Sequence, residues 1–426
     1  MANAFSKEER VAFEQILEGF QDAEIMAKNV NVYQTDQQLM ERAGSTIWRP
    51  MPYIMNSFDG TDMTSNFNDK TQLSVPATIS IAKSVPWSLT ATELNDMLQE
   101  GRLGDAAKQK LASDINRAVL DMASMYGSLV VDIATAATGF DDVAEIEAVM
   151  NEAGVVDNDR VLALSTRDYN GMAGNLANRE TVNGKVNSSY ERAYVGQIAS
   201  FDTWKLDYSK RLTAAIGGAI TFDTRNVTGN GYTPVSTSTA ATGETSNVDN
   251  RFQTATFTDG AGDISDVKAG DCFTIAAVNA VHHITKEDTG QLKTFRVISA
   301  TDTTITFTPP MIDPAVGTGV ESEIQYQNCV VNTESATSAI TWLNIASASM
   351  NPFWQKEAIE ILPGRYAVPE NAGAAVLRGK TDSGIEVVMQ KQYDINTMKT
   401  YYRLDTRFGV VNKAPEMSGV ILFSQT

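Results

Sequence analysis

Few residue combinations in this chain could carry covalent chemistry. The only histidines, His282 and His283, are adjacent. In the strand suggested by the residues around them, neighbours point to opposite faces, so the pair does not converge on one metal or one proton. A zinc site needs further ligands within reach, and this stretch offers none. The two cysteines, Cys272 and Cys329, lack metal-ligand spacing and read as reduced thiols. A bridge between them requires a fold that brings them close. Asp141 and Asp142 could act as an acid/base pair, but their position ahead of an apolar-periodic segment suits helix capping equally. There is no G-x-x-x-x-G-K-[ST] phosphate loop, no H-E-x-x-H, no C-x-x-C and no G-x-S-x-G. The expectation is a protein that is not an enzyme, with no catalytic residue, no cofactor and no metal.

The 426 residues leave room for about two to four domains and a sizeable core. Lys and Arg number 34 and Asp and Glu 52, a net charge of −18. Such a surface repels phosphate, which argues against sequence-specific nucleic-acid binding and keeps a concentrated protein in solution. No apolar run approaches the roughly 20 residues of a membrane-spanning helix, and the first residues lack the pattern of a signal peptide. Folding in the cytoplasm of the producing cell is expected, with no membrane partner.

Ser6-Lys7-Glu8-Glu9 matches a capping box, and Phe13, Ile16, Leu17 and Phe20 then recur at helical spacing. The spacing predicts an amphipathic helix over Lys7 to Lys28, with Glu14, Glu18, Asp22 and Glu24 on its acidic side. It is either an ordinary packed helix or an arm that docks on a neighbour or a basic partner. Ser45 to Pro50 reads as a strand, Asn56 to Ser74 as a polar tip, and Pro76 to Leu89 as a returning strand, together an extended hairpin that buries little by itself. Thr90 to Leu98 is a short helix. From Gly104, the residues Leu111, Ile115, Val119, Met122, Met125, Tyr126 and Leu129 predict the longest helix, running to Val131. A helix over Asp142 to Ala153 and a strand over Val161 to Leu164 follow.

Arg225 to Asn250 is rich in Thr, Ser and Gly and reads as a linker with an exposed loop. Between Arg251 and Val331 short strands alternate with turns, at Thr254 to Phe257, Cys272 to Ile275, Thr294 to Ile298 and Thr303 to Phe307. That texture predicts a small β-barrel or sandwich inserted in a mixed chain. Ile385 to Met389, Tyr401 to Asp405 and Gly419 to Phe423 read as terminal strands. The fold class is α+β.

In this order the elements resemble the Hong Kong 97 capsid fold of tailed phages, and more closely the coat proteins of short-tailed double-stranded-DNA phages that carry an inserted domain. The likeness rests on Ser45 to Pro50 before the extended loop, on Met122 to Val130 at the end of the spine helix, and on Val195 to Asp202 before the insertion. It continues through Val248 to Phe252 and Val267 to Phe273 within the insertion and Asn351 to Trp354 on return. The resemblance implies an N-terminal arm over residues 1–40, an extended loop over 41–90 and a peripheral domain with the spine helix over 91–140. It further implies an axial domain over 141–220, an inserted β-barrel over 221–346, and a return to the axial and peripheral domains over 347–426. It also implies a major capsid protein of the virion that self-assembles into hexamers and pentamers. Assembly would pass through a scaffold-assisted precursor that expands on maturation, with a scaffolding protein, a portal protein and enclosed double-stranded DNA as partners. Glu244, Asp249 and Arg251 are then candidate contacts between capsomers, and Glu14 and Glu18 candidate contacts for scaffold. No lysine–asparagine crosslinking signature is present, so noncovalent stabilisation is expected. A bacterial nanocompartment shell shares the fold, but the large insertion speaks against it. An unrelated multidomain enzyme or binding protein, or a minor virion component, is the remaining alternative.

Overall fold

The structure is a computed structural model that describes residues 7–23, 25–33, 46–64, 66–90, 92–93, 97–177, 196–216, 218–222, 232, 234–259, 264–332, 338–368, 373–381 and 383–424. Ser6, Glu24, Ser45, Val195 and much of the segment after Phe222 lie outside the described residues, as do the side chains of Phe20 and Asp22. The chain divides into two compact units. One comprises Met1–Ile47, Pro76–Leu120 and Ile359–Val411; the other comprises Trp48–Val75, Asp121–Ala358 and Asn412–Thr426.

The first unit is built on a six-stranded sheet whose spine is the strand Lys399–Asn412. Glu386–Asp394 pairs antiparallel with it on one side and Ile81–Thr90 on the other. The register places Trp87 opposite Tyr402, and the rings stack with centroids 5.6 Å apart. Such cross-strand aromatic pairs are among the stronger sheet contacts. The N-terminal helix Lys7–Ala23 buries Phe13 and Ile16. Its apolar face lies on the strand Ala375–Lys380, where a Cβ on Gly379 would come within 2.7 Å of Leu17. A larger residue there would have to displace the Leu17 side chain. Glu9 on the same helix pairs with Lys391 and accepts from the Tyr402 hydroxyl. The helix is therefore packed within its own unit, and helix is described over Lys7–Ala23 and again over Ile25–Lys28, the extent its spacing predicts apart from Glu24, which lies outside the described residues.

Two sequence expectations change here. The returning strand over Pro76 to Leu89 is two strands, Ser74–Thr78 and Ile81–Thr90. The first pairs with Thr46–Pro50 and the second joins the large sheet. Alternation alone does not reveal the change of partner. Thr90 and Glu93 exchange bonds as a capping pair expects: the Thr90 N–H donates to Glu93 Oε2 at 2.8 Å and the Glu93 N–H donates to Thr90 Oγ1 at 3.4 Å. The next helix, however, is described only from Met97, and it is the long one, Met97–Tyr126. It stops short of Val131, because Gly127 must lie flat against Gly419, where a Cβ would fall 2.8 Å from the backbone nitrogen. Leu129–Ile133 is instead a strand.

The second unit is built on two large sheets. In the first, six-stranded, Leu129–Ile133, Ser418–Phe423, Asn351–Gln355, Arg160–Ser165 and Phe201–Leu206 run side by side, with Gln197–Ile198 at the edge. The helices Phe140–Glu152 and Thr166–Ala177 accompany it. Its core gathers Val143, Ile146, Met150, Phe201, Phe353 and Ile421. Asp142 does cap the first of these helices: its Oδ2 accepts N–H bonds from Thr138 at 2.6 Å and Gly139 at 3.1 Å. The second sheet is eight-stranded and follows the order Gln253–Thr256, Thr304–Thr308, Asp288–Ala300, Cys272–Val281, Ser338–Trp342, Ile220–Phe222, Thr258–Asp259, with Cys329–Val331 also on Cys272–Val281. Its two end strands are separated in sequence only by Phe257. The sheet therefore curls until its ends meet, which is a barrel. Phe222, Phe257, Phe273, Phe295 and Phe307 fill the interior, with ring centroids 5.0 to 6.2 Å apart along the chain of contacts.

Candidate functional site

Cys272 and Cys329 are free, buried thiols. Burial pushes the Cys329 thiol up to about 12, so it is no nucleophile. The histidines lie in the turn after Cys272–Val281 and not in a strand. His282 Nδ1 accepts the N–H groups of Ile284 and Thr285, and the His283 N–H donates to the Ala153 carbonyl. The His282 ring and the His283 backbone thus close the turn against neighbouring backbone. Among the described residues no group of His, Cys, Asp and Glu is arranged to hold a metal.

Beside this turn lies an ionic cluster that sequence reading did not single out. Lys293 and Asn328 of the barrel region donate to Glu416 Oε1 at 2.7 and 3.1 Å. Lys286 donates to the Gln327 carbonyl at 2.8 Å. Burial pushes Glu416 up, but Lys293, with His283 and Lys286 behind it, overrides this and holds the carboxyl below its ordinary range. Burial brings Lys286 down to about 8, against the pull of Glu416. Burial likewise lowers His283. The cluster walls a cleft of about 470 Å³ whose other side is the helix Phe140–Glu152, through Val149 and Glu152. No sequence signal marks it, because Glu416 is 88 residues from Asn328 and 123 from Lys293.

The assembly candidates occupy the surface. Glu14 and Glu18 are exposed on the outer side of the N-terminal helix. Glu244 sits exposed in a two-stranded hairpin, Thr237–Thr239 with Thr245–Asn247, where its carbonyl accepts the Ala240 N–H at 2.8 Å. Asp249 and Arg251 lie at the base of that hairpin, bound to each other. Arg251 Nε donates to Asp249 Oδ1 at 3.0 Å and Nη2 to Oδ2 at 2.8 Å, a bidentate fork, while Nη1 reaches the Asn412 carbonyl at 3.2 Å. The guanidinium also lies over the Phe252 ring at 4.8 Å. The structure thus separates the three residues into an exposed tip and a braced base.

The extended loop is only partly the polar tip that its composition suggests. Met51, Ile54 and Leu73 pack with Tyr232, Ile312 and Tyr326, and Lys70 pairs with Glu321. Its outer side exposes Tyr53, Met55, Phe58 and, at 85% exposure, Phe67. Four large apolar side chains exposed on one loop are groups that an interaction surface would use. The four are visible in the sequence, but the Asp/Asn/Ser-rich stretch around them hides the pattern.

An extended loop, a long helix, an inserted barrel and a sheet of very long strands follow one another in this order along the chain, the element order that the Hong Kong 97 resemblance implies. The family model of the P22 coat protein, gene protein 5, matches residues 1–424, and the chain belongs to that family. It is a phage major capsid protein, one that associates with itself to form the virion shell. Solved structures similar to it include one of Mycobacterium phage Che8, at 8% identity over 93% of this chain and 90% of that one with a TM-score of 0.46. The capsid structure of the cyanophage P-SCSP1u matches at 10% identity over 93% and 87%, also with 0.46. The CUS-3 coat protein I-domain matches at 31% identity over 30% of this chain and 96% of its own, with 0.21.

Proposed function

We propose that the chain forms hexamers and pentamers of an icosahedral shell around double-stranded DNA, and that it does so by way of a scaffold-assisted precursor that expands on maturation. The observation that carries this reading is the extended loop, which keeps one side on its own unit and turns Tyr53, Met55, Phe58 and Phe67 outward. Head-to-tail rings would bury that side on the next subunit and close without leaving an apolar edge. In this reading the N-terminal helix is the arm, and Glu14 and Glu18 meet a basic scaffold segment. The hairpin carrying Glu244 reaches a neighbouring capsomer, with Asp249 and Arg251 at its base. Residues 1–40, 41–90, 91–140, 141–220, 221–346 and 347–426 act as arm, loop, peripheral domain, axial domain, inserted barrel and return. A portal protein closes the shell, and the protein is made in the bacterial cytoplasm and catalyses no reaction. The net charge of −18 supports an interior that encloses DNA without adhering to it. Negative-stain electron microscopy of the purified protein, expressed with and without its scaffolding gene, tests the reading. Uniform round shells that depend on the scaffold are expected. A small oligomer of one size under every condition would overturn it.

A further inference from the structure

We propose that Arg296 and Thr308 form a buried site for a small inorganic anion of the halide class, in the seam between the inserted barrel and the six-stranded sheet of the second unit. Arg296 lies in the strand Asp288–Ala300. Its neighbours Phe295 and Val297 belong to the barrel core. Alternation therefore turns Arg296 to the outer face of the barrel. Its cross-strand partner there, Cys272, belongs to an apolar cluster with Val130, Met350, Val420 and Leu422. Arg296 is 0% exposed.

Its guanidinium is poorly served. Nη2 meets only the Met350 sulfur, at 3.0 Å. Nε and Nη1 have no hydrogen-bond partner among the described residues. On its other side Arg296 pairs with Thr308, so the two side chains share one face. Thr308 is also 0% exposed, and its hydroxyl likewise has no partner among the described residues. The nearby carboxylate of Asp271 is engaged, accepting the Lys268 N–H at 2.8 Å and the Asn344 side chain at 2.9 Å. A guanidinium does not shed its proton, and a buried charge without a counter-ion is strongly unfavourable.

A single anion that accepts from Nε, Nη1 and the Thr308 hydroxyl satisfies all three donors and neutralises the charge. A water molecule accepts at most two of these bonds and leaves the charge in place. Closure of the seam by methionine, valine and leucine side chains favours a monatomic anion over a bulky oxyanion, which carries more acceptor atoms than the site has donors.

The test is thermal unfolding of the full-length soluble protein in chloride, bromide or gluconate at matched ionic strength. Chloride and bromide are expected to raise the midpoint along a saturating curve, and gluconate to leave it unchanged. R296M is expected to lose the halide response while keeping its gluconate midpoint. T308V, which deletes only the hydroxyl, should shift half-saturation several-fold to higher halide, and it keeps the test intact if R296M does not fold. Equal midpoints in chloride and gluconate, a halide response that persists in R296M, or unchanged saturation in T308V would each overturn the proposal; the first of these is also the outcome that a bound water would give.

Discussion

Lys286, His283 and Glu416 give the residue scale its consequence. Partial burial brings the Lys286 ammonium down to about 8, against 10.5 for the free side chain. Between those values the unfolded chain holds a proton that the folded chain has released, so stability rises with pH across that window. K286M should flatten this rise in the thermal midpoint, and an unaltered pH profile would show that the lysine is not desolvated. On the acid side the signs agree. His283, lowered from 6.5 by burial, resists a proton that the unfolded chain accepts, so its contribution is lost as pH falls below that value. Glu416, lowered from 4.5, adds stability that is present above that value and lost as pH falls through its folded titration. Acid should therefore loosen this cluster progressively, and H283Q should remove the earlier part of that loss.

At the scale of elements, close approach decides the architecture. Gly419 is the second residue of the last strand and sits where a Cβ would overlap the Leu129 carbonyl and lie 2.6 Å from the Phe353 ring. G419A must push apart the parallel pair Leu129–Ile133 and Ser418–Phe423, at about 3 kcal/mol. A urea midpoint unchanged by G419A would mean that the two strands are free to shift. The barrel shows the opposite device, in which large rings fill the space that curling encloses. F273A there leaves a cavity next to Phe257, Phe295 and Phe307 and should cost about 3 to 5 kcal/mol in the same measurement.

Assembly belongs to the whole molecule. An exposed ion pair contributes only about 0–1 kcal/mol, so in the proposed contact between capsomers the hairpin carrying Glu244 would tune register more than total strength. The joint substitution D249A/R251A removes both the fork and the bond to Asn412 that brace its base. Misassembled or tubular products are expected by electron microscopy, and normal shells at normal yield would contradict that role. Reversing charge at Glu14 and Glu18 should lower scaffold uptake measured by co-sedimentation, with shell-free folding unchanged because both side chains point to solvent.

The amino-acid sequence by itself determined the class of this protein and most of its elements. Helical spacing from Leu111 to Tyr126, the turn-separated short strands of the insertion, and the acidic balance are local or additive properties, so they survive without coordinates. The resemblance could be read for the same reason, as an ordered set of such elements. Tertiary structure decided the rest. The long helix ends at Tyr126 although the apolar pattern continues through Leu129, because Gly127 and Gly419 must touch. The strand after Ser74 breaks because its two halves have different partners. Asp249 and Arg251 bind each other, while Arg296 and Glu416 acquire their character from neighbours distant in sequence. Burial, pairing and close packing depend on which surfaces meet, and that information is not carried by any single stretch of residues.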